Sequence, residues 1–271
     1  MISLITATLG RIEEFRILLE SLRKQSYKDF ELIVVDQNDH HILEEIVNAY
    51  GGIKIKYVRS NILGLSFNRN IGLKYAQGDI IGFPDDDCFY DDNLLMEVAS
   101  AFEKDKNKID LIAVSAKDVK TGQIFIKQEK SVLNRKQLFY NCISYNFFIR
   151  KMDNMCFDEK LGVGAEYGSG EETDFLWTYL SNNSVCKILN TSFVHHQNYA
   201  GDISSDRAFR YGLGFGAIMK KEIVLRRHYC MSLLYLNLIM RAIGGFLLTR
   251  HQRSYYNTFW GRVKGFVSYN C

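Results

Sequence analysis

Apolar positions along this chain fall into short unbroken runs, separated by stretches in which they recur at helical spacing. Met1 to Ala7 (MISLITA) is such a run and predicts a strand. Over Arg11 to Gln25, Ile12, Phe15, Leu18, Leu19 and Leu22 repeat three or four residues apart, which lines one face of a helix. Phe30 to Val35 (FELIVV) predicts a second strand ending on Asp36. Ile42, Ile46, Val47 and Tyr50 then give a short helix closed by Gly51 and Gly52. Ile53 to Val58 alternates apolar and basic residues, as an outer strand does. Ser66 is placed to N-cap a helix that runs through Ala76 and stops at Gly78. The apolar run from Asp79 to Pro84 predicts a strand buried on both faces.

Strands and helices alternating at this length predict an α/β fold with a doubly wound, mostly parallel sheet. Its crossovers are right-handed, and its ligand crevice lies at the carboxyl ends of the strands. Those ends carry Thr6 and Thr8, Asp36 to Asp39, and Asp85 to Asp87, so all three groups are expected on one rim. The last is the most informative. Three adjacent carboxylates repel one another, and a hard divalent cation removes the repulsion by taking oxygen ligands. In extended or turning backbone, residues two apart point the same way, so Asp85 and Asp87 can share one metal while Asp86 faces elsewhere. The competing explanation is a solvated acidic turn before a helix, because Asp91, Asp92 and Asn93 also favour helix starts. No Gly-rich dinucleotide fingerprint follows the first strand, where TATLGR stands, and GxxxxGK[ST] occurs nowhere. Dehydrogenase and P-loop chemistries are therefore excluded. The Gly212-Leu213-Gly214-Phe215-Gly216 run has no strand leading into it and reads as close packing or a turn.

Composition adds a globular chain with enough apolar content, 47% of 271 residues, for one large core or two modest ones. The six cysteines (Cys88, Cys142, Cys156, Cys186, Cys230, Cys271) lie far apart without a CxxC pair. No charged-then-apolar leader precedes Ile2, and a reduced, cytoplasmic setting is expected. Charge is unevenly distributed: residues 207–271 hold eleven Lys/Arg against the single acid Glu222, a net of +10, which leaves −7 for the rest of a chain whose total is +3. Such a tail suits anionic lipid or a polyanionic substrate, or is a solvated helix face. Within it, Met231 to Thr249 approaches membrane-spanning length but carries Asn237, Arg241 and a Gly244-Gly245 break. Arg226, Arg227, Arg250, Arg253, Arg262 and Lys264 flank it, with Tyr255, Tyr256, Phe259 and Trp260 interleaved. This pattern favours a helix lying on a membrane surface, with an ordinary helical subdomain or dimer interface as the alternative. No nucleic-acid-binding module is present.

Five segments in order, SLITATLGR, ELIVVDQND, GLSFNRNIGLKYAQGDIIGFPDDD, FDEKLG and GSGEETDFLW, resemble the GT-A-fold glycosyltransferases of family 2, which are nucleotide-sugar-dependent and inverting. The resemblance spans roughly residues 1–215. It implies a GT-A domain over 1–215, with a nucleotide-sugar half (1–105) and an acceptor half (106–215), followed by a helical, basic extension over 216–271. It further implies that Thr6 and Thr8 touch the nucleotide, that Asp36 and Gln37 meet base and ribose, and that Arg69 lies near the nucleotide. Asp85, Asp86 and Asp87 would serve ribose and metal. Many members have aspartate where Gln37 stands, which leaves the base open, with UDP the first choice. The family's acidic pair ending in the catalytic base matches Glu171 and Glu172, the second glutamate standing where aspartate is usual. His195 or His196 falls where many GT-A enzymes place a third metal ligand.

The chemistry implied is single-displacement sugar transfer from a nucleotide sugar, UDP-sugar favoured, to a hydroxyl of a glycan or lipid-linked oligosaccharide. Mn²⁺ or Mg²⁺ would neutralise the leaving diphosphate and Glu172 would take the acceptor's proton. The enzyme would act in surface-polysaccharide assembly, peripherally at the inner face of the plasma membrane. Two other readings stay open. Asp85, Asp87 and Glu172 could hold metal for phosphoryl or nucleotidyl transfer, or the chain could be a non-catalytic nucleotide binder. Glu171 and Glu172 also suit the first turn of a helix, where acids are stabilised. Asp174 could orient Glu172 or hold backbone, and Tyr145, Phe147 and Phe148 could stack on an acceptor sugar or belong to the core.

Overall fold

Each apolar run of the N-terminal half becomes a strand and each periodic stretch a helix. In chain order these are β1 (Ile2–Thr8), α1 (Ile12–Lys24), β2 (Phe30–Asp36), α2 (Ile42–Ala49), β3 (Lys54–Arg59), α3 (Leu65–Tyr75) and β4 (Ile80–Gly82). Then come β5 (Phe89–Tyr90), α4 (Leu94–Lys104), β6 (Leu111–Asp118), β7 (Ile124–Ile126), α5 (Arg135–Asn141), β8 (Phe147–Arg150), α6 (Glu171–Tyr179) and β9 (Cys186–His196). The helices α7 (Ser205–Lys220), α8 (Ser232–Leu248) and α9 (Gln252–Ser268) follow. The computed structural model describes residues 1–104, 109–126, 134–181, 183–197 and 204–270, so Cys271 lies outside the described residues. The other five cysteines are free thiols.

The chain divides into two compact units. The first comprises Met1–Leu63, Phe67–Cys156 and the segment from Thr178 through β9. It contains a nine-stranded sheet ordered β3-β2-β1-β4-β8-β6-β9-β5, with β7 paired to β6. Strands β3, β2, β1 and β4 are parallel, as the alternating pattern predicts. The sheet continues through antiparallel joins at β4–β8 and β8–β6, then a parallel β6–β9 pair. Burial follows position in the sheet: β2 is buried throughout, whereas β3 at the edge keeps its basic side chains in solvent. Phe15, Leu18, Leu19 and Leu22 of α1 join Leu4, Leu32, Val34 and Phe148 in the core of this unit. Phe147 and Phe148 are wholly buried and so are core residues, which takes them out of consideration as acceptor-stacking groups.

The second unit comprises Gly64–Ser66, Phe157–Trp177 and the C-terminal helices. Here the glycine run is close packing. Gly212 and Gly216 of α7 face Gly261 and Gly265 of α9, and a Cβ at any of the four would press into the partner helix's backbone. The division expected after residue 215 falls inside α7. Ser66 departs from its expected role. The first turn of α3 starts at Leu65, so Ser66 is already helical, and its hydroxyl donates to the Leu161 carbonyl at 2.6 Å instead of capping. Leu65 N–H likewise donates to Val163 O at 2.9 Å.

Candidate active site

The three aspartates leave β4 through Phe83 and Pro84, both buried. Thr6 at the end of β1 donates its hydroxyl to the Pro84 carbonyl at 3.1 Å, and Cys88 N–H closes a turn onto Asp85 O at 3.2 Å. Thr6 is fully buried, so its side chain fixes the loop. The turn then separates the three carboxylates. Asp85 accepts from Arg69 at 2.9 Å and from the Ser144 hydroxyl at 3.1 Å. Asp87 approaches His196 Nε2 at 3.1 Å. Asp86 turns toward Arg11, whose guanidinium lies 3.0 Å from it and also reaches the second oxygen of Asp87. The ligand atoms of Asp85, Asp87 and His196 lie within 4.8 Å of one another, and Asp86 is not among them. This is the side-of-chain alternation expected of residues two apart.

Sheet register distinguishes the two histidines. β9 pairs His195 with Phe89 of β5 and His196 with Asp118 of β6, and adjacent strand residues point to opposite faces. His195 therefore stacks on Phe89 at 4.5 Å and bonds Asp91 at 2.7 Å. His196 stacks on Tyr145 at 4.4 Å, bonds the Gln197 carbonyl through Nδ1 at 2.8 Å, and points Nε2 at Asp87. Fixing one ring nitrogen on a carbonyl is how metal-binding histidines are usually oriented.

Burial and crowding set the electrostatics. Burial, helped by Asp85 and Asp87, pushes Asp86 up to about 6 against the opposing pull of Thr8 and Arg11. Burial also works against ionised Asp87, yet the His196 bond and charge, with Arg11, hold it below its ordinary value. His196 is raised: burial disfavours its charged form, and Asp87 outweighs that. Arg69, 1% exposed, lies over the Phe83 ring with its centre 5.9 Å from the centroid.

Thr8, fully buried, has no well-formed hydrogen bond for its hydroxyl, although it lies close enough to Asp86 to lower it. Asp36 is buried and engaged. One oxygen accepts from the Asn38 backbone and side chain at 2.8 and 2.6 Å, and the other accepts from Tyr57 at 2.6 Å. The Asp36 side chain thus shapes the loop, while Gln37, half-buried, bonds through its backbone N–H to Thr8 O at 3.0 Å.

Glu171 and Glu172 occupy the first turn of α6, in the second unit, with Glu171 buried and Glu172 half-buried. The glycines before them have φ values that favour glycine: +88° at Gly170 and +99° at Gly162. A Cβ on Gly162 would lie 2.8 Å from Ser66 Oγ and 3.2 Å from the Glu171 carboxyl. One turn on, Asp174 anchors α6, accepting from Lys221 at 2.7 Å and Arg226 at 2.8 Å. Lys221 also bonds Asp158 at 2.6 Å, and wholly buried Glu222 bonds Arg226 at 2.9 Å and His228 at 2.6 Å. Lys221 to Leu225 form a π-helical turn, the irregularity that lets Lys221 and Glu222 both face this network.

Arg11, Ser144 and Tyr145 complete the aspartate cluster in ways the sequence reading missed. Arg11 stands in TATLGR, read above only for the fingerprint it lacks, and three adjacent carboxylates requiring counter-charge were the available signal. Ser144 and Tyr145 carry no local motif and arrive through the β8 register.

The family described as Glycosyl transferase family 2 matches residues 3–161. The minor teichoic acid biosynthesis protein GgaB of Bacillus subtilis is 27% identical over 162 residues, 55% of this chain and 18% of GgaB. The poly(ribitol-phosphate) beta-N-acetylglucosaminyltransferase TarS of Staphylococcus aureus is 24% identical over 208 residues, 74% of this chain and 36% of TarS. The chain thus spans about a fifth to a third of these relatives' lengths. A crystal structure of TarS residues 1–349 with UDP-GlcNAc shares the fold at TM-score 0.68 and 19% identity, covering 97% of this chain and 81% of that one. The mannosyltransferase PcManGT of Pyrobaculum calidifontis, solved with GDP-Man and Mn²⁺, aligns at TM-score 0.60 and 11% identity, over 82% of this chain and 64% of its own.

Proposed function

Because the chain belongs to glycosyl transferase family 2 and has the GT-A fold, we propose that it is an inverting glycosyltransferase. It moves a sugar from a nucleotide-sugar donor, a UDP-sugar first, to a hydroxyl of a glycan or lipid-linked acceptor in cell-surface polymer synthesis. The observation that carries this reading is the convergence of Asp85, Asp87 and His196 on one point, with Asp86 drawn away by Arg11. Two carboxylates and an oriented imidazole suit Mn²⁺, with Mg²⁺ second because it prefers all-oxygen sets. When bound, the ion supplies positive charge to the departing diphosphate. Arg69 and Ser144 hold Asp85 in place, and Tyr145 and the Gln197 carbonyl hold His196. Thr8, Asp36 and Gln37 belong to the strand ends and loops that receive the nucleotide, with Thr8 beside Asp86 and Asp36 bracing its loop. Glu172 takes the acceptor proton as the hydroxyl attacks. Buried Glu171 and the Asp174 anchor keep its helix in position.

The names of the relatives favour a polyol-phosphate or other surface glycan as acceptor and a UDP-sugar as donor. The enzyme would work on the cytoplasmic side of the plasma membrane, where such donors are found. The test is thermal shift and nucleotide release with Mn²⁺ and a panel of UDP-, GDP- and dTDP-sugars, alongside Asp87→Ala and Glu172→Gln. One nucleotide should stabilise the parent only with metal, and Asp87→Ala should abolish that shift. Glu172→Gln should keep the shift and lose about 10²–10⁴ in turnover. Nucleotide binding that ignores metal and Asp87 would sink the proposal.

A further inference from the structure

The helices after residue 228 present a surface that this chemistry does not use. On α8, Leu234, Leu238 and Ala242 recur four apart and are buried, with α9 packed alongside and Gly245 seated against the Tyr255 ring. The opposite face is apolar and open: Leu233 is 76% exposed, Leu236 58%, Met240 63% and Leu247 65%. Those four lie on one stripe of the helix. Around it stand exposed Tyr229, Tyr256 and Trp260, the last two in edge contact at 6.3 Å. The glycine crossing of α9 on α7 makes the pair a stiff platform, since no side chain separates the two backbones. A stripe of this kind in water is costly, and a soluble surface normally scatters its apolar residues.

Charge selects the occupant. Residues 229–270 carry Arg241, Arg250, Arg253, Arg262 and Lys264 and no acid. A second copy seated on this face would oppose cation to cation. A free polyanion would satisfy the arginines and leave the leucines wet. An anionic bilayer satisfies both, with leucines in the acyl boundary, Tyr and Trp at the headgroups and arginines on phosphate. Tyr229–Leu248 is long and apolar enough to cross a membrane, but one face is packed on protein and exposed Asn237 and Arg241 sit mid-helix. Both features favour lying in the interface over spanning.

We propose that the α8 stripe of Leu233, Leu236, Met240 and Leu247, rimmed by Tyr229, Trp260 and the surrounding arginines, docks this protein flat on an anionic lipid bilayer. The inference does not depend on the donor or on Glu172. The test is sedimentation of the full chain with phosphatidylglycerol/phosphatidylcholine vesicles and with phosphatidylcholine alone, while Trp fluorescence is followed. The parent should bind the anionic vesicles with a blue shift and bind neutral ones far more weakly. Leu233→Glu/Leu236→Glu should lose binding at least about tenfold, and Arg250→Glu/Arg253→Glu by about fivefold per arginine or more. All four positions are exposed, so circular dichroism and melting should match the parent. Nucleotide binding in these variants separates failure here from failure of the glycosyltransferase reading. No binding to anionic vesicles, binding unchanged in both variants, or preferential binding to inorganic polyphosphate over vesicles overturns the proposal. So does a dimer in light scattering that the leucine variant dissolves.

Discussion

Both units set three carboxylates among basic partners, and they do opposite things with them. In the helical unit Asp158, Lys221, Asp174, Arg226, Glu222 and His228 alternate acid and base along a chain of contacts, so every carboxylate meets a base. In the sheet unit Asp85, Asp86 and Asp87 are consecutive. Two of them converge with His196, and, among the described residues, this is the one group of such ligand atoms that gathers to a point. Alternation closes a network and makes it structural. Convergence gathers ligand atoms at one point, beside the pairs with Arg69 and Arg11, and makes a receptor for a cation. Asp158 and Asp86 show the difference in their titration. Burial raises both, but Lys221 and Tyr269 bring Asp158 below its ordinary value, whereas neighbouring carboxylates leave Asp86 at about 6.

The comparison breaks most visibly if Asp174 is removed. Asp174→Ala strands Lys221 and Arg226, and about 3–5 kcal/mol of stability should be lost in urea unfolding, with Mn²⁺ binding to the folded protein kept. An unchanged unfolding midpoint would mean that the network is ornamental. Titration comes next, measured as unfolding free energy from pH 3 to 8 in EDTA. Asp86 has a folded value above its unfolded one, so its ionisation costs stability, a cost absent in acid that develops as pH rises from about 4 through 6. Asp86→Asn should therefore stabilise by roughly 2–3 kcal/mol at pH 7 and by little at pH 4. Asp158 is depressed, so its contribution is present above the unfolded value and lost as pH falls through the folded one. Asp158→Asn should destabilise at pH 7, with the difference fading in acid. Profiles of the same sign would erase the contrast. The smallest effect is Ser144→Ala, which loosens Asp85 and should weaken Mn²⁺ by calorimetry about tenfold or less. A complete loss of metal would make Ser144 a ligand.

Much of this was legible in the residues. The β1–β4 strands and α1–α3 helices follow from local periodicity, because burying one face of each element imposes a repeat of two or 3.6 on its own sequence. The DDD turn was visible as three consecutive acids after an apolar run, the Glu171-Glu172 pair as an acidic helix start and through the family resemblance, and the basic, aromatic-studded C-terminus through its charge. The expectation for Ser66 failed because a hydroxyl near a helix start can cap it or donate elsewhere, and the Leu161 carbonyl, nearly a hundred residues on, decided it.

What the chain determined alone was therefore an alternating α/β order, three acids at a strand end, an acidic helix start and an uneven charge. Tertiary structure decided which atoms meet. Strand register sent His196 to Asp87 and His195 to Asp91, brought Ser144 to Asp85, and placed Arg11 between Asp86 and Asp87. It also turned a glycine run into a helix crossing and left one face of α8 uncovered. Those outcomes depend on pairings between residues dozens of positions apart, where no local repeat records the partner.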